Sequence, residues 1–295
     1  MLNLFLSILF TIGIVVTFRY AHKVKVNILQ VLTANYLTCV VLGNIVYHDL
    51  SYLDHFWNHD WFLPTVLLGS FFIFSFYVFG YSTLVNGITP TIISNKLSLI
   101  IPVTAGFLVF GDTNSYLKSA GIILAVVSVI LASIQKTKKA ADVPKHNFLI
   151  ILSVFLASGI VDFGLKYMEF HFYDSPHFSA TPIFLYGCSF VIGSIALFIQ
   201  LVWKKTKIHF KSIGMGILLG ITNYTSLWFF FKAIHQPGYD ITWVLPVTNI
   251  MVMLASIASA RFMFKEKIVK TNFIGMFLAI IALGLLLFSA YSAKS

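Results

Sequence analysis

The sequence predicts an all-α integral membrane protein of ten transmembrane helices, arranged as two inverted five-helix repeats. Composition, run length and charge placement carry that prediction. Of 295 residues, 58% are hydrophobic and only 10% charged, with a mean hydropathy of +0.89, whereas soluble domains run near a quarter charged. The apolar residues gather into runs of about twenty, the length that crosses a hydrocarbon core. Lys and Arg collect in alternate links between those runs, as positive-inside orientation requires.

The runs follow in order. Run 2–18 has no charge before it and Arg19, Lys23 and Lys25 after it, so it reads as a retained helix and not a cleaved leader. Runs 28–47 and 62–84 flank a link that holds Asp54 and Asp60 but no Lys or Arg. Run 88–110 carries Pro90 near its start and the pair Asn95 and Lys96 inside it. Run 116–134 leads into Lys136, Lys138, Lys139 and Lys145. Run 148–168 contains Asp162 and Lys166, and the acidic link beyond it holds Glu169, His171, Asp174 and His177. Run 181–203 precedes Lys204, Lys205, Lys207 and Lys211; run 212–234 carries Gly214, Gly216 and Gly220, a small-residue seam for a neighbouring helix. Run 240–262 ends at Arg261 and Phe262 and leads into Lys265, Lys267 and Lys270, and run 272–291 is the last. The odd links are therefore expected on the cytoplasmic side and both termini outside.

A shift of 154 residues lays Gly121, Leu124 and Ala125 on Gly275, Leu278 and Ala279, Asp112 on Glu266, and Asn95 on Asn249. Pro102-Val103-Thr104 echoes Pro246-Val247-Thr248 in another register. The charge pattern agrees: 111–115 has no Lys or Arg, while the matching link after the ninth run has four. Five helices per half force the halves to cross in opposite senses. The expected division is 1–134, a cytoplasmic linker at 135–147, and 148–295. Inverted repeats are characteristic of secondary transporters, whose halves exchange conformations around a midplane site.

Charge and motifs narrow the function further. The net charge of +10 sits beside apolar runs, which excludes a nucleic-acid partner in favour of the bilayer. Cys39 and Cys188 lie in apolar runs and read as packing thiols. There is no Walker loop, dinucleotide glycine pattern, HExxH or metal cluster, so neither a cofactor nor enzyme activity is expected. Expected partners are a small-molecule substrate, the lipid bilayer and protons, with a monomer or homodimer as the unit.

The sequence resembles the drug/metabolite transporter superfamily, in its ten-helix EamA-like branch. The resemblance rests on Pro246-Val247-Thr248, on Phe264-Lys265-Glu266 and on Gly275 opening a Gly-rich last helix, echoed by Phe110-Gly111-Asp112 and Gly121. It departs from that pattern in having Asp112 where Glu is usual, and Lys96 within helix four. What it implies is a helical carrier in the inner (plasma) membrane, with a central cavity, moving a small organic metabolite, with export as its direction.

Lys96 is the sharpest candidate. It stands about 8 residues into its run, roughly 12 Å from the end at 1.5 Å per residue, too deep for its stem to reach water. A charge there costs at least about 2.5 to 3.5 kcal/mol, so it is expected to face a cavity and bind an anionic or carboxylate-bearing substrate; a structural ion pair is the alternative. Asp162 and Lys166, four apart on one helix face, read either as a local ion pair or with Asp162 as a proton carrier. Asn95 and Asn249 read equally as interhelical glue or cavity lining. Asn223, Tyr224 and Trp228 are the remaining binding candidates, with packing as the blander reading in a chain of 30 Phe. Lys232, His235 and Asp240 read as an interfacial anchor and helix cap. An intramembrane enzyme acting on a lipid-linked substrate and a non-transporting subunit are the competing functions.

Overall fold

The computed structural model describes residues 2–24, 26–48, 51, 56–109, 116–133, 145–172, 175, 180–203, 206–234, 241–265 and 269–292. Every regular element among them is helical: α1 (Leu2–Lys23), α2 (Ile28–Tyr47), a short 3-10 turn (Phe56–Asn58), α3 (Phe62–Val85), α4 (Ile88–Leu97), α5 (Ile100–Val109), α6 (Tyr116–Ser133), α7 (Lys145–Phe172), α8 (Thr181–Trp203), α9 (Phe210–Ile234), α10 (Ile241–Met263) and α11 (Lys270–Ser292). Six stretches are long and apolar enough to cross a membrane: Leu2–Ala21, Ile28–Tyr47, Phe62–Val85, Phe148–Phe172, Thr181–Trp203 and Phe210–Phe230. Ser119–Ser128, Thr248–Met263 and Lys270–Leu285 are shorter apolar helices. The solvent is legible in the surface, where Leu67, Phe74, Ile195, Phe198 and Phe277 are exposed while Ser75, Ser94, Ser189 and Ser256 are buried. Polar groups turned inward and apolar ones outward suit lipid, where unsatisfied polar groups are costly.

The structure corrects the expected run 88–110, which is two helices. Pro102 has no N–H to offer the carbonyl four residues back, and its ring crowds that carbonyl. Ser98 O instead accepts from Ile101 N at 2.9 Å, and α4 closes with Ser98 N donating to Ser94 O at 3.2 Å. The chain therefore breaks at Ser98 and Leu99. The entry to α4 depends on Gly87, whose φ of 86° is a left-handed value that side chains disfavour, and which lets α3 turn into α4 through only Asn86 and Gly87.

A second correction concerns the link expected after 168. α7 continues to Phe172, so His171 lies in its last turn, its ring 4.1 Å from that of Tyr167 and its Nδ1 3.0 Å from Tyr167 O. α7 also begins at Lys145, inside the segment expected to be a linker. Phe110, Gly111, Asp112, Asp54, Asp174, His177, His235, Asp240, Glu266, Lys25, Lys136, Lys138, Lys139, Lys204, Lys205 and Lys267 lie outside the described residues.

The helices pack pairwise. α9 lies on α1 and α2, α3 on α7 and α8, α2 on α8, and α6 on α11; α4 touches α6, α7 and α10, α5 lies on α7, α10 also lies on α1 and α11. Rings of Tyr36, Phe72, Phe76 and Tyr186 meet where α2, α3 and α8 converge, with centroids 5.3 to 6.4 Å apart. Glycine brings α9 against α2: a Cβ on Gly220 would stand 2.7 Å from Asn35 O and 2.5 Å from Thr38 Cβ, and one on Gly216 would meet Val31 O and Ala34 Cβ. Gly214 faces open space, so the seam expected of three glycines uses two.

Candidate functional site

A polar stripe runs along the contact between α4 and α7. In α4 and its C-terminal cap, Ser94, Asn95 and Ser98 are about one turn or less apart and share a face; in α7, Ser158 and Asp162 are about one turn apart. Ser94 Oγ donates to Ile151 O at 2.8 Å, Asn95 Nδ2 to Ser158 Oγ at 2.8 Å, and Ser98 Oγ to Asp162 Oδ2 at 3.0 Å. Ser98 Oγ also lies 2.6 Å from Asn95 O, so it ties the broken end of α4 to the carboxylate. Gly159 lets Ile101 of α5 seat on α7, since a Cβ there would collide with that side chain.

Lys96 belongs to this stripe. It stands in the last turn of α4, half-buried like Asn95 and Asp162, and its charge couples electrostatically to Asp162. Among the described residues no direct hydrogen bond or close ion pair holds its ammonium. A cation in the last turn of its helix, two residues before the break at Ser98, is also favoured by the exposed carbonyls there. Asp162 is thus engaged from across the seam by Ser98 and Lys96, while Lys166 is exposed one turn further along α7. The arrangement presents a cation, an anion and an amide at one joint of an interrupted helix, a combination able to hold a polar or charged solute away from lipid.

The other candidates divide. Asn249 is half-buried in α10, which packs on α4, the helix that carries Lys96. Asn223, Tyr224 and Trp228 lie on α9, whose partners are α1 and α2. Asn223 Nδ2 donates to Asn35 Oδ1 at 3.3 Å, Tyr224 reaches towards Gly43 of α2, and the Trp228 ring lies 3.7 Å under Lys232 Nζ. These contacts lie within α9 and between α9 and α2. The structure does not bring them to Lys96.

A scan against models of known families matches none of them. A protein of Haemophilus influenzae named only "Uncharacterized protein" is 25% identical over 285 residues, 95% of this chain and 96% of that one. A solved structure described as "Crystal structure of protein" superimposes with a TM-score of 0.62 at 12% identity, covering 100% of this chain and 98% of the other. That likeness establishes a shared fold along the whole chain.

Ser94, Ser98, Ser158 and Asn35 were not among the residues singled out from sequence. A signal exists for the serines: Ser158 stands four residues before Asp162, and Ser94 four before Ser98, and in an apolar helix such a stripe marks the face turned from lipid.

Proposed function

We propose that the chain is a secondary active transporter, an exporter of small organic metabolites across the inner (plasma) membrane, working by alternating access around a site at Lys96, with Asn95 and Asn249 beside it and Asp162 as the proton-carrying group. The observation that carries this reading is the half-buried, electrically coupled Lys96 and Asp162 at the break between α4 and α5. A charge pair inside an apolar bundle has a functional reading by default, and interrupted helices are where transporters place their solute sites. Export as the direction rests on the resemblance to the drug/metabolite transporters.

This reading counts α4 and α5 as one interrupted crossing, for ten spans in two inverted halves. The packing supports this division. Exchanging α1, α2, α3, α4–α5 and α6 with α7, α8, α9, α10 and α11 turns the α1–α9 contact into α7–α3, α2–α9 into α8–α3, and α4–α7 into α10–α1, all of which occur. The same exchange reaches single atoms: Cys39 Sγ of α2 donates to Gly220 O of α9 at 3.5 Å, and Ser189 Oγ of α8 donates to Gly69 O of α3 at 2.8 Å. The halves differ where the function is placed, since a 154-residue shift puts Ile250 opposite Lys96.

The test is reconstitution into liposomes with a panel of amino acids, nucleobases and amphipathic cations, with and without a pH gradient. Movement of a solute that Lys96→Ala stops is the expected result. If no solute moves under either condition, the carrier reading fails.

A further inference from the structure

A cavity of about 320 Å³ lined by Val26, Asn27, Thr206, Lys207 and His209 opens where the α1–α2 and α8–α9 links meet. The end of α1 and the first link carry Arg19, Lys23 and Lys25, and the second link and the start of α9 carry Lys204, Lys205, Lys207 and Lys211, with no Asp or Glu among residues 19–27 or 204–211. Orientation bias explains why lysines gather at this end. It does not explain why the two links are bonded together around a space.

The backbone of the cavity is fixed from within. Gln30, 2% exposed, donates through Nε2 to Lys207 O at 2.8 Å and accepts from His209 N at 3.0 Å through Oε1. Asn27 Nδ2 donates to Gln200 Oε1 at 3.0 Å, and Asn27 N to Ser212 Oγ at 3.2 Å. The two side chains best suited to an anion are left over: among the described residues neither Lys207 nor His209 has a side-chain hydrogen-bond or ion-pair partner. Held backbone with unengaged donors is a preorganised site, and its volume is at the lower end of the range, about 300 to 1,000 Å³, that small-ligand sites occupy.

The surroundings choose the ligand. Trp203 is 82% exposed, Phe210 89% and Ile208 56%, and these apolar side chains alternate with the lysines along the link. An inorganic anion makes no use of them, whereas a phospholipid sets its glycerol and upper acyl carbons at the depth where interfacial aromatics lie. We propose that this cavity binds an anionic phospholipid of the leaflet on the Lys-rich side, with its phosphate on Lys207 and His209 and its glycerol region against Trp203, Ile208 and Phe210. The site bridges links about 180 residues apart in the chain, so a bound lipid fastens α1–α2 to α8–α9.

The test needs no transport assay. The purified full chain is titrated with phosphatidylglycerol and with phosphatidylcholine of the same acyl length, and retained lipid is counted by native mass spectrometry. One tightly retained phosphatidylglycerol is expected, preferred at least about tenfold over phosphatidylcholine, with the preference abolished in K207Q/H209Q and weakened in K207Q alone. Both side chains are exposed, so the variants fold; melting in phosphatidylglycerol nanodiscs gives a second readout, higher than in phosphatidylcholine for the native chain and equal for the double variant. Equal retention of the two lipids, unchanged retention in the double variant, or full displacement of phosphatidylglycerol by millimolar inorganic phosphate would overturn the proposal.

Discussion

The α2–α9 and α4–α7 seams both carry polar atoms through an apolar bundle, and they are built in opposite ways. Between α2 and α9 the backbones touch across Gly216 and Gly220, Asn35 is fully buried, and the polar contacts are neutral: Asn223 to Asn35, and Cys39 to Gly220 O. Between α4 and α7 the contacts include a carboxylate, to which the Lys96 charge couples without a direct bond, the key residues are half-buried, and the helix on one side is broken. Close neutral packing of this kind uses its hydrogen bonds as glue between helices. Charged groups that stay partly accessible at a helix break retain unspent capacity for a ligand.

That contrast can be broken by substitution. Gly220→Leu is expected to have the largest effect, because its side chain would enter the space of Asn35 O and Thr38; overpacking costs about 1 to 3 kcal/mol or more. Loss of monodisperse protein in size-exclusion chromatography is the expected outcome, and an intact elution peak would count against the close-packed reading. Lys96→Met is expected to fold normally and to reduce solute flux in liposomes at least about tenfold, or 1.4 kcal/mol. Lys166→Ala, on the exposed side of α7, should stay within about twofold of the native chain by the same scale; full activity in both variants would remove Lys96 from the site.

Smaller effects sharpen the comparison. Asp162→Asn keeps the hydrogen bond from Ser98 but removes the charge, so downhill exchange should persist while accumulation driven by a pH gradient disappears. Ser98→Ala removes one tie across the helix break, worth about 0.5 to 1.5 kcal/mol, and flux should fall by no more than about tenfold by that figure. Asn223→Leu is expected to shift melting by an amount equivalent to about 0.6 kcal/mol, the average for an interhelical hydrogen bond in a membrane, with flux unchanged. A variant at Asn223 that melts normally but no longer transports would move the α2–α9 seam into the site.

Much of the helical frame was readable along the chain. The starts of α2, α3, α4 and α8 fall at the expected positions 28, 62, 88 and 181, because each follows a polar link or a Gly and apolar runs in lipid have few alternatives to a helix. The break at Ser98 was less visible. Pro102 announces that a carbonyl loses its donor, yet Pro246 sits inside the continuous α10, so a proline alone does not determine whether a helix parts or absorbs the defect. Within the site, Lys96 stood out by its depth and Asp162 by its charge. Their association did not, because Lys166 offers Asp162 an equally good partner on its own helix.

By itself, then, the sequence determined that the chain is helical and apolar enough to span a membrane, and which of its residues are too polar to face lipid, because those properties depend on composition and local spacing. Only the tertiary structure decided where the polar residues meet. Ser98 and Asp162 are 64 residues apart, and Asn35 and Asn223 are 188 apart. Contact over such separations depends on which helix faces fit closely. The glycines of α9 select α2, the broken end of α4 selects α7, and through these choices Asn223 becomes packing while Lys96 remains half-open beside a carboxylate.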